Sequence, residues 1–142
     1  MNDEKEKIIV ASALYKNTSL IAHSQAKRFM SEQISFEDFL KVDIRIGKIT
    51  AAEDFPNAKK PAYKLSIDFG EEIGMKRSSA RITKLYSKED LIGMLIVAVI
   101  NFPPKQIADF ISEVLVLGIE NENGEVVLLK PERDAAVGMR IS

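Results

Sequence analysis

Two short stretches of strict apolar–polar alternation constrain this chain more than any other feature. Val42, Ile44 and Ile46 alternate with Asp43, Arg45 and Gly47, and Leu65, Ile67 and Phe69 alternate with Lys64, Ser66 and Asp68. A period of two buries one face and leaves the other in water, so each stretch predicts a half-buried strand. The first runs on past Ala51, the second ends at Gly70, and a third strand follows from about Ile73 to Ala80. Met94 to Ile100 is continuously apolar, which predicts a strand covered on both faces. Val114 to Leu117 and Val126 to Leu129 are further apolar runs. Asn123-Gly124 lies between them and predicts a hairpin joining the two. Gly138 to Ile141 adds a last short strand.

Helical signals are few after Ser35. Ser35-Phe36-Glu37-Asp38 is a capping-box arrangement that opens one turn through Leu40, and Ser87-Lys88-Glu89-Asp90 heads a short helix that stops at Gly93. Phe55 to Pro61 is a loop bounded by two prolines. These short strands, with one small helix between the third and fourth, make a mainly β protein. The expected fold is a five-stranded Greek-key barrel with short helices, the oligonucleotide/oligosaccharide-binding (OB) architecture. Residues 1–34 differ, since they hold no Gly or Pro and read as a helical arm with a break at Asn17-Thr18-Ser19. Two segments are therefore expected, an N-terminal helical extension over 1–34 and an OB domain over 35–142. The arm either lies on its own body or exchanges with a partner subunit.

Composition closes off several function classes. The chain has no Cys, so disulfides, thiolate metal sites and a cysteine nucleophile are excluded. Its one His, His23, is too little for a histidine zinc site and leaves one imidazole for acid–base work. Ser78-Ser79 has no evident base, and Glu71-Glu72 and Glu89-Asp90 are neighbours in sequence rather than carboxylates across a cleft. Neither a Gly-x-x-x-x-Gly-Lys-Ser/Thr loop nor a Gly-x-Gly-x-x-Gly turn is present. The expectation is no enzyme, no cofactor and no metal. No apolar stretch reaches the roughly 20 residues of a membrane span. Asp3, Glu4 and Glu6 spoil the signal-peptide likeness of the first residues, so a cytoplasmic location is expected.

The formal net charge of -1 conceals a division. Lys41 to Lys88 carries eleven basic and six acidic residues, whereas Glu89 to Ser142 carries four basic and nine acidic. The basic half coincides with the first three strands and their loops, the region that OB barrels use for oligonucleotides. Lys59, Lys60 and Lys64 cluster around the first loop, and Lys76, Arg77, Arg81 and Lys84 follow the third strand. Such a cluster can neutralise phosphates. Ser79 and Asn101 complete the candidate RNA contacts, although Asn101 would equally satisfy backbone at a strand end. Tyr63 could stack on an unpaired base. Alternating charges on solvated strand faces would look the same.

Beyond these patterns, Phe36 to Gly47, Phe55 to Leu65 and Ile67 to Gly70 together resemble the EMAP-type tRNA-binding OB domain. Lys76 to Lys84, Val99 to Pro104 and Ser112 to Gly118 resemble the CsaA branch most closely. The likeness covers about residues 35 to 142. It implies a non-enzymatic, cytoplasmic homodimer that binds unfolded preproteins and the Sec export machinery, with tRNA-binding relatives. Ala80-Arg81 stands where the tRNA-binding relatives carry a Ser-Gly pair, which removes a glycine and inserts a charge. The arm over 1–34 has no counterpart in the short members.

Two functions follow. A chaperone needs apolar grooves with a polar rim, and Phe55, Pro56, Pro61, Tyr63, Phe102, Pro103 and Phe110 are the candidate peptide contacts, lying in loops or beside proline. A tRNA-binding module would instead use the basic cluster. The apolar C-terminal runs exceed what a small barrel interior needs, which adds to the expectation of a dimer.

Overall fold

The computed structural model describes residues 31–142, so nearly all of the expected N-terminal arm lies outside the described residues. The first described element is α1 (Phe36–Leu40). Its cap is the one read from the sequence, with the Asp38 amide donating to Ser35 Oγ at 3.0 Å. Leu40–Ser142 forms one compact unit.

That unit is built on β1 (Ile44–Asp54), β2 (Tyr63–Asp68), β3 (Met75–Ala80), β4 (Leu95–Val99) and β7 (Leu115–Val116), with sheet order β3-β2-β1-β4-β7 and every pairing antiparallel. Strand β1 serves two neighbours. Ile44 to Lys48 pairs with β4, and Lys48 to Asp54 pairs with β2, with a register shift between Ile49 and Ala51. A bulge there bends the strand, which is how one long strand can curl a sheet towards closure. Gly47 lies just before the bend, and a Cβ at that position would sit 2.6 Å from Ile67 Cγ2. Only glycine permits that approach.

Closure between β3 and the strands beyond β4 is made by single backbone and side-chain hydrogen bonds rather than by a continuous ladder. The Glu113 amide donates to the Arg77 carbonyl at 2.8 Å, and Glu113 Oε1 accepts from the Arg77 amide at 3.1 Å. Ser112 Oγ accepts from the Ser79 amide at 3.1 Å, and buried Ser78 donates its hydroxyl to the Val114 carbonyl at 3.0 Å. The result is a nearly closed antiparallel barrel, the OB architecture. Ile49, Leu65, Ile67, Phe69, Leu91 and Ile96 fill its interior. Between β3 and β4, α2 (Lys88–Leu91) carries the expected capping box on Ser87 and buries Leu91.

Four details differ from the sequence reading. Along β4, Ile96, Ala98 and Val99 are buried while Leu95 and Val97 are half-buried, so its second face is only partly covered. The turn at Asn123-Gly124 does form a hairpin, but it joins β8 (Gly118–Glu120) to β9 (Val126–Leu128). Residues 115–116 go to β4 instead, because the strand that leaves the barrel is the continuation after Leu117. A further hairpin of β5 (Lys105–Ile107) and β6 (Phe110–Ser112) was not foreseen. The last expected strand is reduced to a bridge between Arg45 and Arg140, with Met139 and Ile44 carbonyls accepting from Ile46 and Ile141. Among the described residues no helix is long and apolar enough to cross a membrane.

Candidate functional site

A groove of about 980 Å³ opens between the loop after β1, the end of β3 and the segment after β4. In OB barrels these positions, the β2–β3 region and the loops after the first and fourth strands, are where ligands are held. One wall is the β5–β6 hairpin. It turns through Ala108, whose φ of 53° is the left-handed conformation that a non-glycine residue adopts at some cost.

The hairpin is fixed by a small core of its own, made of Phe55, Ala62 and Phe110. The Phe55 and Phe110 rings lie 5.4 Å apart and tilted by 57°. Lys64 Nζ sits 5.1 Å from the Phe55 centroid and 5.7 Å from that of Phe110, and the Arg77 guanidinium carbon lies 4.4 Å from the Phe110 centroid. Each cation faces the electron-rich side of a ring. This clamp couples the loop after β1 to the hairpin, so both walls of the groove are held together.

The groove lining is aliphatic, including Ala62, Ile82, Val114, Val116, Val126 and Leu128. Lys59, Lys60, Arg81 and Lys105 also line it, with Phe102 and Pro103. Phe102 is 52% exposed. Among the described residues Glu113 is the one acidic lining residue, and its carboxylate already accepts from the Arg77 amide and lies 3.9 Å from Lys76 Nζ.

Residues singled out from the sequence for two different ligands thus meet in one place. Of the RNA candidates, Lys59, Lys60, Ser79 and Arg81 line the groove. Lys64 and Arg77 stand over the aromatic pair, Lys76 is beside Glu113, and Lys84 is exposed outside the lining. Asn101 is engaged with backbone, donating to the Lys41 carbonyl at 2.7 Å and accepting from the Asp43 amide at 2.9 Å. Of the peptide candidates, Phe102 and Pro103 line the groove, while Pro56 and Pro61 are exposed beside it. Phe55, Tyr63 and Phe110 are buried, and their rings pack within the protein. Tyr63 donates its hydroxyl to the Tyr86 carbonyl at 2.8 Å. Sequence reasoning missed Lys105, Ile107 and Ala108, all carried by the unforeseen hairpin. Asp109, a turn-forming residue type between two short runs, was the available signal.

The other charge cluster lies at the ends of the domain. Arg45 donates from Nε to Asp43 Oδ1 at 2.6 Å and from Nη2 to Oδ2 at 3.3 Å, and Arg140 Nε is 3.6 Å away. The hydrogen bond from Arg45, opposed by partial burial and helped by the charges of Arg45 and Arg140, holds the Asp43 carboxyl below its ordinary value. Arg45 also donates to the Gly138 carbonyl at 2.9 Å and Arg140 to the Leu40 carbonyl at 2.6 Å, so the cluster ties the C-terminal segment to β1. Among the described residues, no group of three or more His, Cys, Asp or Glu side chains could hold a metal ion.

Comparison with known proteins places this geometry. Residues 44–140 match the family described as "Putative tRNA binding domain". The methionine–tRNA ligase of Thermococcus onnurineus (strain NA1) is 36% identical over 110 residues, which is 78% of this chain and 14% of the ligase. The chain thus spans only about a seventh of that relative's length. Among solved structures, the chaperone CsaA of Bacillus anthracis str. Ames is 58% identical with a TM-score of 0.74, over 78% of this chain and 100% of that one. The CsaA chaperone protein of Picrophilus torridus is 55% identical with a TM-score of 0.73, again over 78% and 100%.

Proposed function

Because this chain belongs to the tRNA-binding domain family, in its CsaA branch, we propose that it is a non-enzymatic chaperone that binds unfolded polypeptides in the groove beside the β5–β6 hairpin. The observation that carries the reading is the combination of an aliphatic lining with a rim of Lys and Arg in one groove. Apolar side chains of an unfolded segment gain by leaving water there, and the charged rim keeps the empty groove soluble.

Two finer statements belong to the same reading. The chain acts as a homodimer in the cytoplasm, with the exposed Ile119, Val127 and Leu129 of the β8–β9 hairpin as apolar surface for a second copy. Its clients are preproteins on their way to the Sec export machinery. Sedimentation equilibrium at micromolar concentration tests the dimer, and a monomer would remove it.

A second reading is favoured by the same rim cations and by the family description. In it Lys59, Lys60, Arg81 and Lys105 hold tRNA phosphates. Fluorescence-anisotropy titrations with a reduced, unfolded polypeptide and with bulk tRNA, each across a salt series, separate the two. Polypeptide binding that survives moderate salt supports the chaperone. Saturable tRNA binding with a steep salt slope, and no polypeptide signal, would replace it.

A further inference from the structure

We infer that the groove selects polypeptide segments in which carboxylates flank a short aliphatic run; this rests on the polypeptide-binding reading and specifies its ligand. The starting observation is a difference among the basic residues. Lys76 lies beside Glu113, Lys88 pairs with Asp54, and Arg45 and Arg140 both meet Asp43. The side chains of Lys59, Lys60, Arg81 and Lys105, the four cations that line the groove, make no hydrogen bond or ion pair with any described residue. They come from three places, the loop after β1, the residue following β3 and the start of β5, so the charge is spread around the lining.

Among the described residues Glu113 is the one acidic residue that lines the groove, and it is committed to the Arg77 amide and Lys76. Among the described residues, the lining thus offers an entering ligand four unpaired positive side chains and no uncommitted negative one. A segment with Lys or Arg beside its apolar residues is repelled, whereas one with Asp or Glu gains rim ion pairs. The lining favours a peptide over a nucleic acid. Single-stranded nucleic acids gain much of their affinity by stacking bases on aromatic rings. Here Phe102 is the one aromatic lining residue among the described residues, while Tyr63, Phe55 and Phe110 are buried. Val, Leu, Ile and Ala side chains fit aliphatic side chains of a ligand better than they fit bases.

The test uses the full chain and three fluorescein-labelled peptides with one Val-Leu-Val-Ala core flanked by Glu, by Lys or by Ser, and a fourth with Glu flanks around a Ser core. The Glu-flanked aliphatic peptide should bind about tenfold tighter than the Lys-flanked one at low salt, the sum of a few exposed ion pairs. In the Arg81→Gln/Lys105→Gln variant that ratio should fall toward one, with the unfolding midpoint unchanged because both side chains are exposed. Equal affinity for Glu- and Lys-flanked peptides would overturn the charge selection and leave polypeptide binding standing. A Ser core bound as tightly as the aliphatic one would overturn the aliphatic part and mark a general polyanion site. Binding of tRNA with none of the peptides would overturn the polypeptide reading and this inference with it.

Discussion

The rings of Phe55 and Phe110 meet with centroids 5.4 Å apart, and together with Ala62 they make a core separate from the barrel interior. One ring comes from the loop after β1 and the other from the β5–β6 hairpin, so this contact joins the two sides of the groove. Truncating Phe110 to Ala removes a ring that is 3% exposed, and should cost about 3 kcal/mol of stability by urea titration while weakening polypeptide binding. Phe102→Ala should behave oppositely, changing stability by no more than about 0.5 kcal/mol yet weakening binding. A large stability loss from Phe102→Ala, with Phe110→Ala neutral, would invert the two roles.

The Asp43 carboxyl is held below its ordinary value by the hydrogen bond from Arg45. A carboxylate whose pKa is depressed on folding adds stability above its unfolded value and loses it as the pH falls through the folded value. Asp43→Asn should therefore lower the unfolding midpoint at pH 7, and the gap to the parent should close in acid, below about pH 4. Denaturation at both pH values measures this. A gap that stays constant into acid would show that the charge of Asp43 contributes nothing.

Two glycines with similar backbone angles should respond differently to alanine. Gly74 has a φ of +83° and open space where a Cβ would go, whereas Gly138, at +84°, would place its Cβ 2.6 Å from the Phe69 carbonyl oxygen. Gly74→Ala should cost only the left-handed strain, about 1 kcal/mol. Gly138→Ala adds a backbone clash and should cost clearly more, because relief requires the C-terminal segment to move off β1. Equal midpoints for the two variants would contradict this.

Tyr86 Oη accepts from the Leu128 amide at 2.9 Å, beneath the hairpin that includes β9. Tyr86→Phe leaves that amide without its partner, and should cost about 1–2 kcal/mol by urea titration. Tyr63→Phe removes a donor to the Tyr86 carbonyl instead and should cost less, since a carbonyl is easier to leave under-satisfied than an amide. The opposite ranking would show that the Leu128 amide has another acceptor.

How much of this was legible in the sequence depended on the range of the interactions. The alternation of Leu65, Ile67 and Phe69 and the cap on Ser87 are set by neighbouring residues, and β2 and α2 lie where those patterns put them. The β5–β6 hairpin was not legible, because it turns through an Ala in the left-handed conformation where Gly or Asn would have been the signal. With that hairpin unseen, nothing local could place Lys105 in the groove or put Phe110 over Phe55. The partner of β9 was misread for a related reason. Residues 115–116 and 118–120 are separated in sequence by Leu117 alone, and only the closing of the barrel divides them between β4 and β9. For Asn101, both sequence readings were chemically open, and long-range hydrogen bonds to Lys41 and Asp43 now engage its side chain.

The most direct measurement uses the absence of native cysteine. A single Cys introduced by Gln106→Cys, on the groove wall, can carry a photo-crosslinker, with Glu122→Cys at the exposed tip of the β8–β9 hairpin as the control. Illumination with a labelled, reduced and unfolded polypeptide should give strong crosslinking from position 106, little from position 122, and competition by unlabelled polypeptide. Equal labelling from both positions, or crosslinks at 106 that tRNA displaces and unlabelled polypeptide does not, would contradict a polypeptide-binding groove.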